Sequence, residues 1–311
     1  MQRNGNPRVS VVMPALNEAR NLEIVLPAIA AVRPAVHEVI VVDGGSVDST
    51  GEVAKRVSPS VKVIRQTRSG KGNAVMCGFA AATGDVLVMF DADGSADPGE
   101  IPAFVSALLA GADFAKGSRF LRGGGSEDLT LLSRTGNSGL NGVANALFGT
   151  AYTDLCYGYC AFWADILPAL DLPSIDFPPP ADGMLWGDGF EFQTVLFCRA
   201  GAAQLKIIEV PSVERERIFG ATSIRTFTTG SRVLRTLAAE RRRVVRRRLD
   251  PTRPVTGEIT IVPPRVEQPS PQAQAPAAEP PKPRPTPRPT PRPRAAGSEP
   301  TREGAGVREA S

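Results

Sequence analysis

The residues most suited to chemistry are two carboxylates, Asp91 and Asp93, on either side of Ala92. They follow an apolar run, residues 86–90, that reads as a buried strand. In an extended segment residues i and i+2 point the same way, so both acids face one side of a crevice. Two hard oxygen ligands there suit Mg²⁺ or Mn²⁺ shared with substrate phosphates. The plainer alternative is a solvated acidic turn. Asp43 likewise ends an apolar run, residues 38–42, and is followed by Gly44-Gly45-Ser46-Val47-Asp48-Ser49-Thr50. A carboxylate there can accept from a nucleobase N–H or a ribose hydroxyl, and the glycines let a ligand approach the backbone. Ser46 and Asp48 would equally serve as a helix cap. Asp188 and Glu191 are candidates for a general base near an acceptor, and Asp188 equally for the cap of a helix beginning at Gly189. No G-x-G-x-x-G fingerprint is present. Ser69-Gly70-Lys71-Gly72 is not a P-loop, because the upstream glycine and the Ser/Thr after the lysine are missing.

The elements that must position these groups alternate. Residues 9–13, 38–42, 61–64, 86–90, 113–116 and 204–210 read as strands. Helical patterns run from about 46 or 48 to 57, over 71–82, 101–109 and 190–200, and as a basic pattern over 226–248. Leu22, Val25, Leu26 and Ile29 recur at helical spacing, with Pro27 expected to kink or interrupt that helix. The order βαβαβαβ implies an α/β fold with a mostly parallel sheet covered by helices on both faces. Ligands bind beyond the carboxyl ends of such strands, where Asp43 and Asp91 stand. Phe162, Trp163 and Trp186 read as packing residues.

Charge and composition narrow the function. The chain of 311 residues carries a net +4, but the stretch 215–248 holds eleven arginines and only two acids, Glu216 and Glu240. The run Arg241-Arg242-Arg243-Val244-Val245-Arg246-Arg247-Arg248 is read as a solvated helix end or as a contact for an anionic bilayer. Nucleic acid is not expected, because no aromatic residues interleave the charges. The single histidine, His37, argues against a Cys/His zinc site, and Cys77, Cys156, Cys160 and Cys198 read as free thiols. Residues 1–7 are polar and no run approaches ~20 apolar residues. A cytoplasmic protein, peripheral on the inner face of a membrane if it meets one, is the expectation. More than half of the 29 prolines lie after residue 250. Residues 251–311 are therefore expected to be a disordered tail, preceded by a basic helical extension over 241–250 and a folded domain over 1–240.

Taken in order, Val11-Val12-Met13-Pro14-Ala15-Leu16-Asn17-Glu18, Val41-Val42-Asp43-Gly44-Gly45-Ser46, Gly70-Lys71-Gly72-Asn73-Ala74 and Asp91-Ala92-Asp93 resemble the motifs of family 2 glycosyltransferases. The likeness is greatest to the dolichol-phosphate mannosyltransferase-like branch. It continues through Gly117-Ser118-Arg119, Arg134, Gly136-Asn137, Asp154-Leu155-Cys156-Tyr157-Gly158-Tyr159, Gly189-Phe190-Glu191 and Glu214, Arg217, Gly220 and Ser223, covering about residues 7–240. The resemblance implies a GT-A fold and a metal-dependent, inverting transfer of a sugar from a UDP- or GDP-linked donor. It implies that Pro14, Ala15, Asn17, Glu18, Asp43, Gly45, Lys71, Asp91 and Ala92 hold the nucleotide-sugar, with Asp91 and Asp93 at the metal and Asp93 catalytic. It implies that Arg119, Arg134, Arg217 and Ser223 surround the acceptor phosphate, where guanidinium groups bind bidentately and stay charged. The acceptor so implied is a polyprenyl phosphate. A soluble transferase with a small phosphorylated or hydroxylated acceptor, such as a phosphoglycerate, is the alternative. A nucleotidyltransferase would carry a Gly-rich basic loop where Pro14–Glu18 stand, and a degenerate binding protein would not keep both Asp91 and Asp93.

Overall fold

The computed structural model describes residues 3–127, 130–180, 184–220 and 226–249. Ser223 and the Pro-rich stretch 251–311 lie outside the described residues.

A central strand buried on both faces must be apolar throughout rather than alternating. β1 (Val9–Ala15) meets that condition with Val11, Val12 and Met13 fully buried. It is followed by α1 (Ala19–Ala30), β2 (Glu38–Asp43), α2 (Thr50–Val57), β3 (Lys62–Arg65), α3 (Lys71–Ala81), β4 (Val86–Met89), α4 (Ile101–Leu109) and β5 (Phe114–Ser118). β1 pairs in parallel with β2 and β4, and β2 in parallel with β3. Pro27 does not interrupt α1 as expected. It stands on the exposed face near the end of the helix, and the carbonyl its missing N–H leaves open belongs to exposed Glu23, where water can serve it.

The second half departs further from the sequence pattern. After the two-residue β6 (Gly125–Ser126) comes α5 (Leu131–Phe148), then β7 (Cys160–Trp163), the single turn α6 (Leu167–Leu170), α7 (Phe192–Ala202), β8 (Ile207–Pro211), β9 (Val213–Glu214) and α8 (Thr226–Leu249). The main sheet has the order β3-β2-β1-β4-β7-β5-β8. β7 runs antiparallel between β4 and β5, while β8 returns to parallel beside β5. β6 and β9 form a separate parallel pair. Phe162 of β7 stacks on Phe114 at 5.1 Å and meets Phe79 edge-on at 5.2 Å, so this inserted strand fills the core. All four cysteines are free.

α8 is one continuous helix, so the boundary expected at residue 240 falls inside it. Its inner face, with Val233, Thr236, Leu237 and Glu240 buried, packs against α5 and α7. Glu240 is the reason the basic stretch is not a free extension. The Arg199 guanidinium donates to both its oxygens at 3.0 and 3.2 Å, and the Trp186 indole N–H donates to it at 2.7 Å.

Candidate active site

The acids identified in the sequence stand at the carboxyl edge of the sheet. β1 and β2 end in register, Ala15 opposite Asp43. Their loops are tied together: the Asn17 amide donates to the Ser46 hydroxyl at 2.9 Å, and the Val47 amide donates to Asn17 Oδ1 at 2.9 Å. Asp43 accepts from the Ser46 amide and hydroxyl at 3.0 and 2.6 Å through one oxygen, Oδ1. Asp43 thus shapes its own turn while Gly45 lies exposed beside it. Pro14 is half-buried, and Ala15 and Ala92 are buried.

Asp91 and Asp93 follow β4 and line a cleft together with Lys71, Glu191, Glu214 and Arg217. Each carboxylate faces a cation. Lys71, the first residue of α3, places its ammonium 2.7 Å from Asp91. Asp93 accepts from the Ser95 amide and hydroxyl at 3.0 and 2.7 Å, and its other oxygen lies 3.5 Å from the Arg217 guanidinium. Arg217 also pairs with Glu18, whose second oxygen accepts from Asn21 at 2.5 Å. One guanidinium therefore spans the loop after β1 and the loop after β4. The backbone of its segment follows the same path: Arg215 and Ile218 amides donate to the Ser95 and Asp93 carbonyls at 2.8 and 3.1 Å.

Gly70 and Gly72 have a role the sequence did not reveal. A Cβ on Gly70, at φ +119°, would stand 2.1 Å from the Asp188 carbonyl oxygen, and one on Gly72 would stand 2.0 Å from that of Gly187. The glycines let the start of α3 press against the 184–191 segment, and so fix Lys71 beside Asp91.

Two expectations need correction. Asp188 does not cap a helix, and its carboxylate does not line the cleft. Its carboxylate is fully buried and receives two hydrogen bonds from Arg68, at 2.8 and 2.9 Å. It joins the loop before α3 to the loop before α7, and α7 begins only at Phe192. Glu191 does line the cleft, with one oxygen held by the Gly187 and Gly189 amides at 3.0 and 3.2 Å. Lastly, of the three arginines expected around an acceptor phosphate, Arg217 lines the cleft and Arg119 and Arg134 do not. Arg217 reaches the acids, but the Arg119 guanidinium is buried between Asp154 and Glu214, at 2.6 and 2.7 Å. Arg134 is exposed at the start of α5, and both Arg119 and Arg134 flank the Phe120 ring, at 5.8 and 5.6 Å. Asp154 has no exposed surface, so its charge requires a buried partner, and Arg119 is that partner. Burial by itself would raise the Asp154 carboxyl. The Arg119 hydrogen bonds and the nearby Arg119 and Lys116 charges outweigh it and hold the group below the usual range. Through Arg119 this network positions Glu214 on the cleft wall.

Sequence reading missed a supporting device and two cations. Asn137, Asn141 and Asn145 recur every four residues along α5 and grip the chain at 152–156. Their amides donate to Asp154 and to the Thr153 and Tyr152 carbonyls, and their oxygens accept from the Cys156, Leu155 and Tyr152 amides. The period of four was the available signal. Arg215 and Arg232 also line the cleft. Arg215 pairs with Asp97 at 2.9 Å. Arg232, on α8, makes no ion pair among the described residues and has its guanidinium 5.9 Å from the Phe190 ring. Cys156 lines the same wall, and burial, then the Asp154 charge, push its thiol up to about 11.

A mostly parallel sheet in this strand order, with Asp-Ala-Asp just past its fourth strand and a cleft lined by both acids and cations, defines a GT-A glycosyltransferase. The profile of Glycosyl transferase family 2 matches residues 10–170. The chain is 32% identical over 260 residues to a polyprenol monophosphomannose synthase of Mycolicibacterium smegmatis, covering 80% of this chain and 91% of that protein. It is 32% identical over 236 residues to an undecaprenyl-phosphate mannosyltransferase of Micrococcus luteus, covering 73% and 91%. The crystal structure of glucosyl-3-phosphoglycerate synthase from Mycobacterium tuberculosis in complex with Mn²⁺ and uridine-diphosphate-glucose superposes with a TM-score of 0.53 at 25% identity, covering 76% of this chain and 79% of that one. The chain belongs to glycosyl transferase family 2, in its dolichol-phosphate mannosyltransferase-like branch.

Proposed function

We propose that the protein transfers a sugar from a UDP- or GDP-linked donor to a polyprenyl phosphate, with inversion at the anomeric carbon. The observation that carries the acceptor is Arg232, a guanidinium without an ion-pair partner among the described residues, on the wall of the cleft that holds Asp91, Asp93 and Arg217. A phosphate there would meet two forked donors, the arrangement that binds it most strongly. The relatives' lipid-phosphate acceptors support the same reading.

Asp43, Asn17 and Glu18 would contact base and ribose, and Lys71 would turn from Asp91 onto the diphosphate. Asp91 and Asp93 would hold a divalent cation. The donor set fits: no group of three or more acids, histidines or cysteines forms a closed site among the described residues, and Mg²⁺ or Mn²⁺ takes one or two carboxylates and completes its shell from phosphate and water. When bound, such an ion neutralises charge on the departing diphosphate. Arg217 would leave Asp93 and take up acceptor phosphate. Glu214, held by Arg119, lies on the same wall to accept from a hydroxyl. An ionised phosphate needs no general base, so Glu191 would be required only by a hydroxyl acceptor.

The second reading, a small phosphorylated acceptor, is favoured by the likeness to glucosyl-3-phosphoglycerate synthase. One experiment separates them. Sugar nucleotides with Mn²⁺ are screened for thermal stabilisation, and transfer from the best donor is measured to undecaprenyl phosphate and to 3-phosphoglycerate. Loss of a charged hydrogen bond costs about 1.5–3 kcal/mol, or roughly 10–100-fold. Arg232→Ala is therefore expected to raise the acceptor KM by that factor and the donor KM by less than about threefold. Equal transfer to an uncharged alcohol would refute the phosphate site.

A further inference from the structure

α8 has two working faces. The inner one is buried and carries Arg232 and Val233 to the cleft. The outer one is exposed at Leu234, Arg235, Ala238, Arg242, Val245, Arg246 and Leu249, and its residue types are unusual for a solvated surface. Leu234, Val245 and Leu249 are 48%, 41% and 81% exposed, and Ala238 is exposed between them. At 100° per residue these four side chains fall within an arc of about 60°, running about 22 Å along the helix. Arg235, Arg242 and Arg246 border that arc, all exposed and none with an acid in ion-pair range among the described residues. Arg241, half-exposed on the other border, donates to the Leu147 carbonyl at 3.0 Å. The only acid in the helix, Glu240, faces inward and is already paired.

We propose that this face of α8 is a membrane-docking surface, lying in the headgroup region of an anionic bilayer with its Leu-Ala-Val-Leu stripe buried and its arginines on lipid phosphates. An apolar stripe bordered by basic residues is what an interfacial helix requires. α8 cannot instead cross the bilayer, since no described helix is long and apolar enough. Nucleic acid would use the arginines but leave the apolar stripe wet. A second copy of the chain, paired about a twofold axis, would bring the arginine borders of the two copies together. Position supplies the remaining argument. Arg232 of α8 has its guanidinium 5.9 Å from the ring of exposed Phe190, and both line the cleft, so the helix that carries the stripe also borders the site where a lipid phosphate would bind. The inference gives a location to the acceptor of the proposed reaction, but its test needs neither that acceptor nor turnover.

The test is sedimentation of the full chain with vesicles of phosphatidylcholine alone or with 30 mol% phosphatidylglycerol, at about 0.1 M salt. Binding to the anionic vesicles is expected, with little to the neutral ones. Each basic residue near the surface contributes roughly fivefold, so reversing two charges, R242E/R246E, is expected to weaken binding at least 25-fold. L234S/L249S keeps every charge and is expected to weaken it about tenfold or more. Neither variant touches the cleft, and unchanged melting temperatures would show that both fold. Two results would overturn the proposal. One is binding that neither variant alters, which would assign it to another basic segment, such as residues 281–294. The other is a dimer in sedimentation equilibrium that L234S/L249S dissociates, which would make the face a contact between copies. Since these vesicles contain no polyprenyl phosphate, failure here leaves the proposed transfer standing. Binding without any lipid-linked product would instead count against the transfer.

Discussion

Replacing Asp188 by Asn separates the structural and catalytic readings of this residue. Asp188 is fully buried, and the Arg68 side chain facing it is 2% exposed. Each carboxylate oxygen takes one hydrogen bond from Arg68, and the remaining Arg68 nitrogen donates to the Ile175 and Phe177 carbonyls at 3.1 and 2.9 Å. Asparagine matches the size of aspartate but removes its charge, so the guanidinium is left in the interior with only neutral partners. Breaking a buried pair from one side costs about 3–5 kcal/mol. For a domain of this size each kcal/mol lowers Tm by about 2–4 °C, so a fall of about 10 °C is expected in scanning calorimetry. Glu191→Gln, at a half-exposed position, serves as the control and should shift Tm by about 2 °C at most. Activity per folded molecule, assayed well below the lower Tm, should keep the acidic limb of its pH profile in Asp188→Asn. A variant that melts within about 2 °C of the parent and has lost that limb would refute the reasoning and return Asp188 to the role of a base.

Asp93→Asn should abolish the Mn²⁺-dependent part of the thermal shift given by a sugar nucleotide. Its own stability should stay within about 1 kcal/mol of the parent's, because an asparagine oxygen can still accept from Ser95. Asp154 has a depressed carboxyl, so its stabilisation is complete above the ordinary value of about 3.9 and is lost as pH falls towards the folded one. Tm should therefore drop between pH 5 and 3, and a flat profile would contradict the Arg119–Asp154 pairing. Cys156, with its thiol pushed up to about 11, should be alkylated on the order of 100-fold more slowly at pH 8 than a free cysteine, by mass spectrometry, although it lines the cleft.

Much of this molecule can be read from local sequence. β1, β2 and β4 announce themselves because strands buried on both faces are continuous apolar runs, and each ends where an acid or a turn begins. Asp43, Asp91 and Asp93 could be picked out for that reason. The order of the motifs was enough to name the family. Local sequence does not carry what depends on distant partners. α5 contains Gly136, Gly139 and Gly142 with several Asn and Ser, a composition that argues against a helix. It forms because Asn137, Asn141 and Asn145 find the backbone at 152–156. β7 is four residues long and shows no alternation, and it becomes a strand only where β4 and β5 present two open edges to it.

The same division runs through the site. Sequence supplied the charged residues, and tertiary structure assigned their partners. Charge is a property of the residue, but whether that charge is available to a ligand depends on which counter-charge burial has placed against it. Arg68 and Arg119 are committed to Asp188 and Asp154 because those acids have no access to water. Arg232 makes no such commitment among the described residues, since the one acid on its helix, Glu240, is turned inward to Arg199 and Trp186. An arginine-rich stretch that reads as a uniform basic run thus becomes, once wound into α8 and packed on α5 and α7, a helix with one face in the cleft and the other open to its surroundings. The helical period sets which residues share a face. Only the packing of the whole domain decides which face is left outside.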